Sequence, residues 1–248
     1  MIDQAVLATA AFSAGVLNTI AGGGTFLTFP ALVFVGVPPV VANATSAVAV
    51  FPGYLGGALG FRHELRLFDR PSLLRMTLST LAGGAVGSGL LLISSNQAFS
   101  LVVPFLLLLA TLAFLYGDRV RTWAASKALG PSAHACTGLF AVSVYGGYFN
   151  GGLGIVLLAL FALWGMEDIH KMNALKSGLS FALSAISVAI FATAGFVEWP
   201  HAILMMAAAT AGGYAGAPLA RALPKHMVRC LIALIGFGMS AIFFWRLF

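Results

Sequence analysis

The sequence predicts an all-α, polytopic transmembrane helical bundle built from two inverted-topology repeats, each holding one broken or re-entrant segment. Three observations predict it. Of 248 residues, 60% are hydrophobic and 8% charged, and the mean hydropathy is +0.99. An average soluble domain carries about 25% charged residues; this chain cannot clothe a water-facing surface, which excludes a soluble enzyme. Long apolar stretches recur near the roughly 20 residues that a membrane-crossing helix needs. Two of them are interrupted by glycine runs, Gly22-Gly23-Gly24 and Gly151-Gly152-Leu153-Gly154, about half the chain apart. Matched interruptions in the two halves of a membrane protein are the best sequence-level pointer to a binding site.

The elements follow in order, as one integral membrane domain with repeats over 1–127 and 128–248. Residues 5–36 are apolar around the first glycine break, and three glycines cost a helix roughly 1 kcal/mol each relative to Ala. Each limb is too short to span, so the segment reads as a re-entrant hairpin or broken helix, tolerated only where it is buried or lines a cavity. Met1-Ile2-Asp3-Gln4 lacks the basic start of a cleaved signal peptide, so this stretch is expected to belong to the mature fold. Pro38-Pro39 opens a span to about 61, with Asn43-Ala44-Thr45-Ser46 near its start. A basic loop over 62–75 precedes a span over 72–93, whose small residues let helices approach closely. An uncharged turn over 94–97, a span over 99–116 and a basic loop over 117–127 complete the first half.

The second half repeats this plan. Residues 131–164 hold the second break; a span over 170–194 carries Asn173, Lys176 and Ser177 near its start; another covers 200–220. A third basic loop over 221–229 precedes the final span. A shift of about 130 residues sets Gly22 on Gly152, Gly24 on Gly154 and Asn43 on Asn173, and internal duplication is common among transporters. Lys/Arg asymmetry places the three basic loops in the cytoplasm. Span 38–61 then runs inward and span 170–194 outward. The first broken segment is expected to dip in from outside and the second from the cytoplasm.

The breaks carry the expected chemistry. A helix restarting after glycines presents free N–H groups and the positive end of its dipole, a ready anion site. Gly22, Gly23, Gly24 and Thr25 would place one such end near mid-membrane, and Asn150, Gly152 and Gly154 the other. The competing reading is that these glycines serve close helix crossing, as at Gly83 and Gly213. Asn18, Thr19, Asn43, Thr45 and Ser46, with Asn150, Asn173 and Ser177 in the second half, offer neutral hydrogen-bond partners for an oxyanion; helix–helix hydrogen bonds are their alternative use. Tyr145 and Tyr148 are candidates to line the same hollow.

Every acidic residue falls in a predicted loop or at a segment end, which disfavours a cation as the bound species. Lys176 is the exception among basic residues, about 9 Å into its helix at 1.5 Å per residue. It either serves the site or snorkels to the cytoplasmic surface. The net charge of +6 belongs to the cytoplasmic loops. Cys136 and Cys230 read as small hydrophobes in packed helices. The five histidines show no metal-ligand spacing, and no nucleophile elbow, phosphate loop or zinc motif appears. No metal, cofactor or nucleic-acid partner is expected; the expected partners are a small anion and the lipid bilayer.

At these residues the chain resembles the TauE/SafE sulfite exporter family, also called TSUP. The resemblance rests on Ala21-Gly22-Gly23-Gly24-Thr25, Phe29-Pro30-Ala31-Leu32, Gly36-Val37-Pro38-Pro39 and Ala42-Asn43-Ala44-Thr45-Ser46. Gly151, Gly152, Gly154 and Lys176 also fit, while Leu153 departs from the pattern. The resemblance implies a multi-pass protein of the bacterial inner membrane that exports a small sulfur-containing anion such as sulfite, sulfoacetate or a related organosulfonate. A channel or carrier for another small organic anion is the alternative. A membrane-embedded enzyme would need a reactive constellation that the sequence lacks.

Overall fold

The computed structural model describes residues 2–20, 24–127, 135–222 and 225–245. Among the described residues the chain is helical, without strands: α1 (Ile2–Ile20), α2 (Thr25–Phe34), α3 (Pro39–Gly60), α4 (Arg62–Leu65), α5 (Arg70–Ile93), α6 (Asn96–Ser126), α7 (Ala135–Tyr148), α8 (Leu153–Leu163), α9 (Ile169–Thr193), α10 (Trp199–Ala222) and α11 (Lys225–Trp245). Of these, α5, α6 and α9 are long and apolar enough to cross a membrane by length and composition.

Local chemistry explains the starts. Pro39 and Pro71 occupy first-turn positions that lose no intrahelical bond to a missing N–H. Asp69, Ser95 and Asp168 cap α5, α6 and α9 by accepting from Ser72, Ala98 and the His170–Lys171 amides. The amides of Lys171 and His170 hold the Asp168 carboxyl below the ordinary carboxylate range. A lowered folded-state pKa means the cap's contribution is complete above the unfolded value and is lost as pH falls through the folded one. Asp168→Ala should therefore lower the melting temperature at neutral pH. Thermal melts in detergent check this: Asp168→Asn should retain most of the stability, and the Ala deficit should vanish in acid.

Three expected loops are helical instead. α6 continues through 117–126, and its 31 residues reach about 46 Å. That exceeds the roughly 30 Å hydrocarbon core, so the Arg119–Arg121 stretch leaves the apolar layer without the helix ending. A short helix, α4, lies within 62–75, and α10 and α11 occupy all but 223–224 of the third basic segment. Charge marked where these helices leave the apolar layer, not where the helix stops. Cys136 and Cys230 are exposed rather than packed inside.

The helices pair in an exchangeable pattern. α1 packs on α10 and α7 on α5; α3 packs on α10 and α9 on α5; α2 packs on α3 and α8 on α9. α3 meets α9, and α6 meets α11. The starts of α8, α9, α10 and α11 each lie about 130 positions after those of α2, α3, α5 and α6. By their helix caps, Gly152 matches Gly24. Phe51 stacks on Phe181 at 5.5 Å, and a Cβ at Gly57 would stand 3.4 Å from Ser177 Oγ, so matching helices α3 and α9 run antiparallel.

Two crossings bring backbones into contact. A Cβ on Gly15 would overlap the Ala209 carbonyl, and one on Gly212 the Phe12 carbonyl. Likewise Gly87 faces the Val144 carbonyl, Gly147 the Gly84 carbonyl, and Gly83 the Phe140 carbonyl. The expected close crossing at Gly83 is thus present. These contacts make α1–α10 one tight pair and α5–α7 another. Between the halves, Phe29 meets Phe99 and Phe149 edge-on and stacks on Phe243, all within 6.2 Å between ring centres. This core cluster ties α2, α6, α11 and the second break together.

Candidate functional site

A cavity of about 590 Å³ lies between the α1–α10 pair and the α3–α9 pair, beside where α3 packs on α10. α1 contributes Gly15 and Asn18, and α10 contributes Ala209, Thr210, Gly213 and Tyr214. Across the hollow stand Val50, Pro52, Gly53, Gly56, Gly57 and Phe61 around the end of α3, and Asn173, Lys176 and Ser177 near the start of α9. Its size lies in the range of small-molecule sites. Glycine creates this space, since nothing lies within 4 Å of a Cβ built on Gly56.

Among the described residues that line the cavity, Lys176 is the one that is charged. Its Nζ donates to Asn173 Oδ1 at 2.9 Å, which leaves further ammonium donors for a guest. A Cβ at Gly154 would lie 3.4 Å from Lys176 Cδ, so the lysine stem runs beside the second break. Asn18 reaches across the first break and accepts from the Gly24 amide at 2.8 Å. Asn18, Asn173, Lys176 and Ser177, foreseen from the sequence, therefore share one hollow.

The remaining foreseen residues are elsewhere. Gly22, Gly23 and the Thr19 side chain lie outside the described residues. Gly24 has helical dihedrals (φ −58°, ψ −35°), and Asn18 occupies its amide, so that donor is engaged within the chain. Thr25 is buried in the core. Asn43 Nδ2 donates to the Tyr148 carbonyl at 2.9 Å; Thr45 Oγ1 accepts from the Glu198 amide at 3.0 Å; Ser46 Oγ meets Thr28 Oγ1 at 2.6 Å. These three bond to neighbouring elements from the packed half of α3 and are not among the residues lining the cavity.

At the second break Gly152 adopts φ +73°, ψ +4°, a left-handed conformation that glycine enters without a Cβ penalty. Asn150 Oδ1 accepts from Tyr54 Oη at 3.4 Å, and Tyr145 Oη donates to the Gly151 carbonyl. Tyr148 Oη lies 3.4 Å from Ser94 Oγ. Of the two tyrosines expected along the cavity, Tyr145 instead braces the second break, its hydroxyl satisfying a backbone carbonyl there, while the Tyr148 hydroxyl sits by Ser94 at the end of α5.

Sequence reasoning missed the glycine face of α3. Pro52-Gly53, Gly56-Gly57 and Gly60 recur at helical spacing, so they share one face. That signal was available. The contribution of α10 through Thr210 and Tyr214 carried no comparable mark.

Comparison with known proteins agrees with this architecture. The family model for "Sulfite exporter TauE/SafE" matches residues 7–243. A "Probable membrane transporter protein" of Haemophilus influenzae is 27% identical over 96% of this chain and 92% of its own length. "Probable membrane transporter protein ORF9" of a Sinorhizobium species is 25% identical, covering 95% of this chain and 90% of the relative. "Probable membrane transporter protein YfcA" of Escherichia coli is 28% identical over 95% and 87%. No solved structure matches the chain. A family match running from the first helix into the last, over an apolar helical bundle with a polar hollow inside it, has one consequence: the chain belongs to the TauE/SafE sulfite exporter family of membrane transporters.

Proposed function

We propose that this chain is a secondary transporter that exports a small sulfur-containing anion, sulfite, sulfoacetate or a related organosulfonate, across a bacterial inner membrane by alternating access. The observation that carries the reading is Lys176: among the described lining residues, the one cation, set beside neutral hydrogen-bonding groups in a glycine-walled cavity. Asn18, Asn173 and Ser177 offer donors for oxyanion oxygens, and among the described lining residues there is no carboxylate to repel the guest. The site rests on this side-chain cluster more than on paired helix dipoles, because Asn18 occupies the Gly24 amide.

The family's printed description supports sulfur chemistry, and the relatives' names support transport. The antiparallel α3–α9 pair and the exchangeable packing support inverted repeats. With the basic segments inside, the cavity faces the cytoplasm, where an exported anion would load. An inside-negative potential assists anion exit by about 2.3 kcal/mol per charge per 100 mV, so export requires no coupling cation.

A thermal-shift screen of purified protein against sulfite, sulfate, sulfoacetate, taurine and sulfolactate tests the reading. A sulfur oxyanion should raise the melting temperature, and Gly56→Trp, which fills the hollow from an open position, should remove that rise while leaving the unliganded melt unchanged. A screen without any shift overturns the anion site. Saturable flux with counterflow of labelled substrate is expected; unsaturable flux without counterflow would instead identify an anion channel.

A further inference from the structure

The open cavity has a closed counterpart. Exchanging the repeats maps the α1–α10 pair onto α7–α5 and swaps α3 with α9, so the hollow between α1–α10 and α3–α9 corresponds to the seam between α5–α7 and α3–α9. In the open cavity, the matching residues Gly213, Gly53 and Gly56 all line the hollow. At the matching seam, a Cβ on Gly84 would stand 3.0 Å from Ile186 and 3.3 Å from Leu183. Two branched side chains fill the space that two glycines leave open.

The polar inventory of this seam is unusual for packed helices. Among the described residues, six buried side-chain polar atoms lack a hydrogen-bond partner. Four of them, on Asn43, Thr80, Ser143 and Ser184, belong to α3, α5, α7 and α9, the helices that build the seam. Ser143 is packed on the α5–α7 face, its Cβ 2.7 Å from where a Gly83 Cβ would stand. Asn43 is the counterpart of Asn173, and Thr80 and Ser143 are the counterparts of Ala209 and Gly15, all residues of the open cavity. Orphan hydroxyls are rare in permanently dry packing, because each forfeits its bonds to water. They are expected where water enters in another state.

We propose that this seam is a second vestibule, closed in this conformation, with Gly84 against Leu183 and Ile186 as its gate and Asn43, Thr80, Ser143 and Ser184 as its polar lining. The inference rests on the alternating-access reading above. The α5–α7 pair, locked internally by its glycine contacts, swings off α9 as a unit. The gate itself contains a glycine backbone against aliphatic side chains and one nearby hydroxyl pair, Ser88 to Ser187 at 2.8 Å, so it separates without breaking a charge pair. Because α3 and α9 run antiparallel, the vestibule opens on the membrane face opposite the cavity. Lys176 has neutral Ser46 as its counterpart there, so the vestibule holds an anion more weakly and favours release.

Thiol accessibility tests the proposal without requiring the substrate to be known. In a Cys136→Ser/Cys230→Ser background, Ser143→Cys and Ser184→Cys change one atom each and preserve the packing. A membrane-impermeant maleimide should label both from the face opposite to the one that labels Gly56→Cys. Pairing Gly84→Cys with Ile186→Cys should form a disulfide that abolishes the labelling of Ser184→Cys, and dithiothreitol should restore it. Thiols that react only after denaturation, or labelling from the same face as Gly56→Cys, would overturn the vestibule. If the double variant does not fold, Ser143→Cys and Ser184→Cys still decide the question. Failure here is distinguishable from failure of the transport reading: a shut seam beside an intact sulfite or sulfoacetate melting shift removes the gate and keeps the site.

Discussion

Lys176→Met should abolish the ligand-induced melting shift and reduce substrate affinity by about 100-fold or more. The substitution keeps the unbranched stem beside Gly154 and removes only the charge. A unit charge 4 Å from an anion contributes about 4 kcal/mol at an effective dielectric constant of 20. Water in the cavity screens part of that, and about 3 kcal/mol corresponds to the stated loss. Lys176→Arg keeps the charge and should retain part of the shift. The unliganded protein should melt no lower than the parent, because removing a largely buried ammonium relieves a desolvation cost. Titration with sulfite and sulfoacetate, followed by melting and by counterflow, checks both halves. An unchanged shift in Lys176→Met would remove the residue from the site.

The second large effect is expected at the helix crossings. Gly87→Leu and Gly212→Leu should each destabilise the bundle by about 3 kcal/mol or more, at the upper end of overpacking costs. The obstacle in both cases is a main-chain carbonyl, of Val144 or Phe12, that cannot rotate away as a side chain can. The helix pair must separate, and in lipid no hydrophobic force between helices offsets the lost contact. Gly56→Ala and Gly89→Ala provide the opposite expectation. Nothing lies within 4 Å of a Cβ at either position, so each should gain up to about 1 kcal/mol from helix propensity. Detergent melts of the four variants separate glycines that permit contact from glycines that leave space. Four similar values would show that the crossings contribute nothing.

Much of the architecture was legible because it depends on local chemistry. Hydropathy required a helical membrane protein, and Pro38-Pro39 marked the start of α3; the caps at Asp69, Ser95 and Asp168, which set the starts of α5, α6 and α9, emerged only in the structure. The second break falls at its glycine run, residues 21–23 of the first lie outside the described residues, and the starts of α8 to α11 lie about 130 positions after those of α2, α3, α5 and α6. The 117–127 segment was misjudged because a charged helix can leave the bilayer without ending.

The candidate site was legible only in part, and Asn43 with Asn173 explains why. They are the same residue at matching positions in the two halves, so sequence alone ranks them equally. Asn173 lines a hollow beside Lys176, whereas Asn43 is buried and bonded to the Tyr148 carbonyl. Local sequence determined that a polar group sits near the start of each helix. Only the tertiary structure decided which one faces open space, because that depends on how closely the neighbouring helix pair packs: Gly213 of α10 and Gly53 and Gly56 of α3 line a hollow, while α5 presses Gly84 onto Leu183 and Ile186.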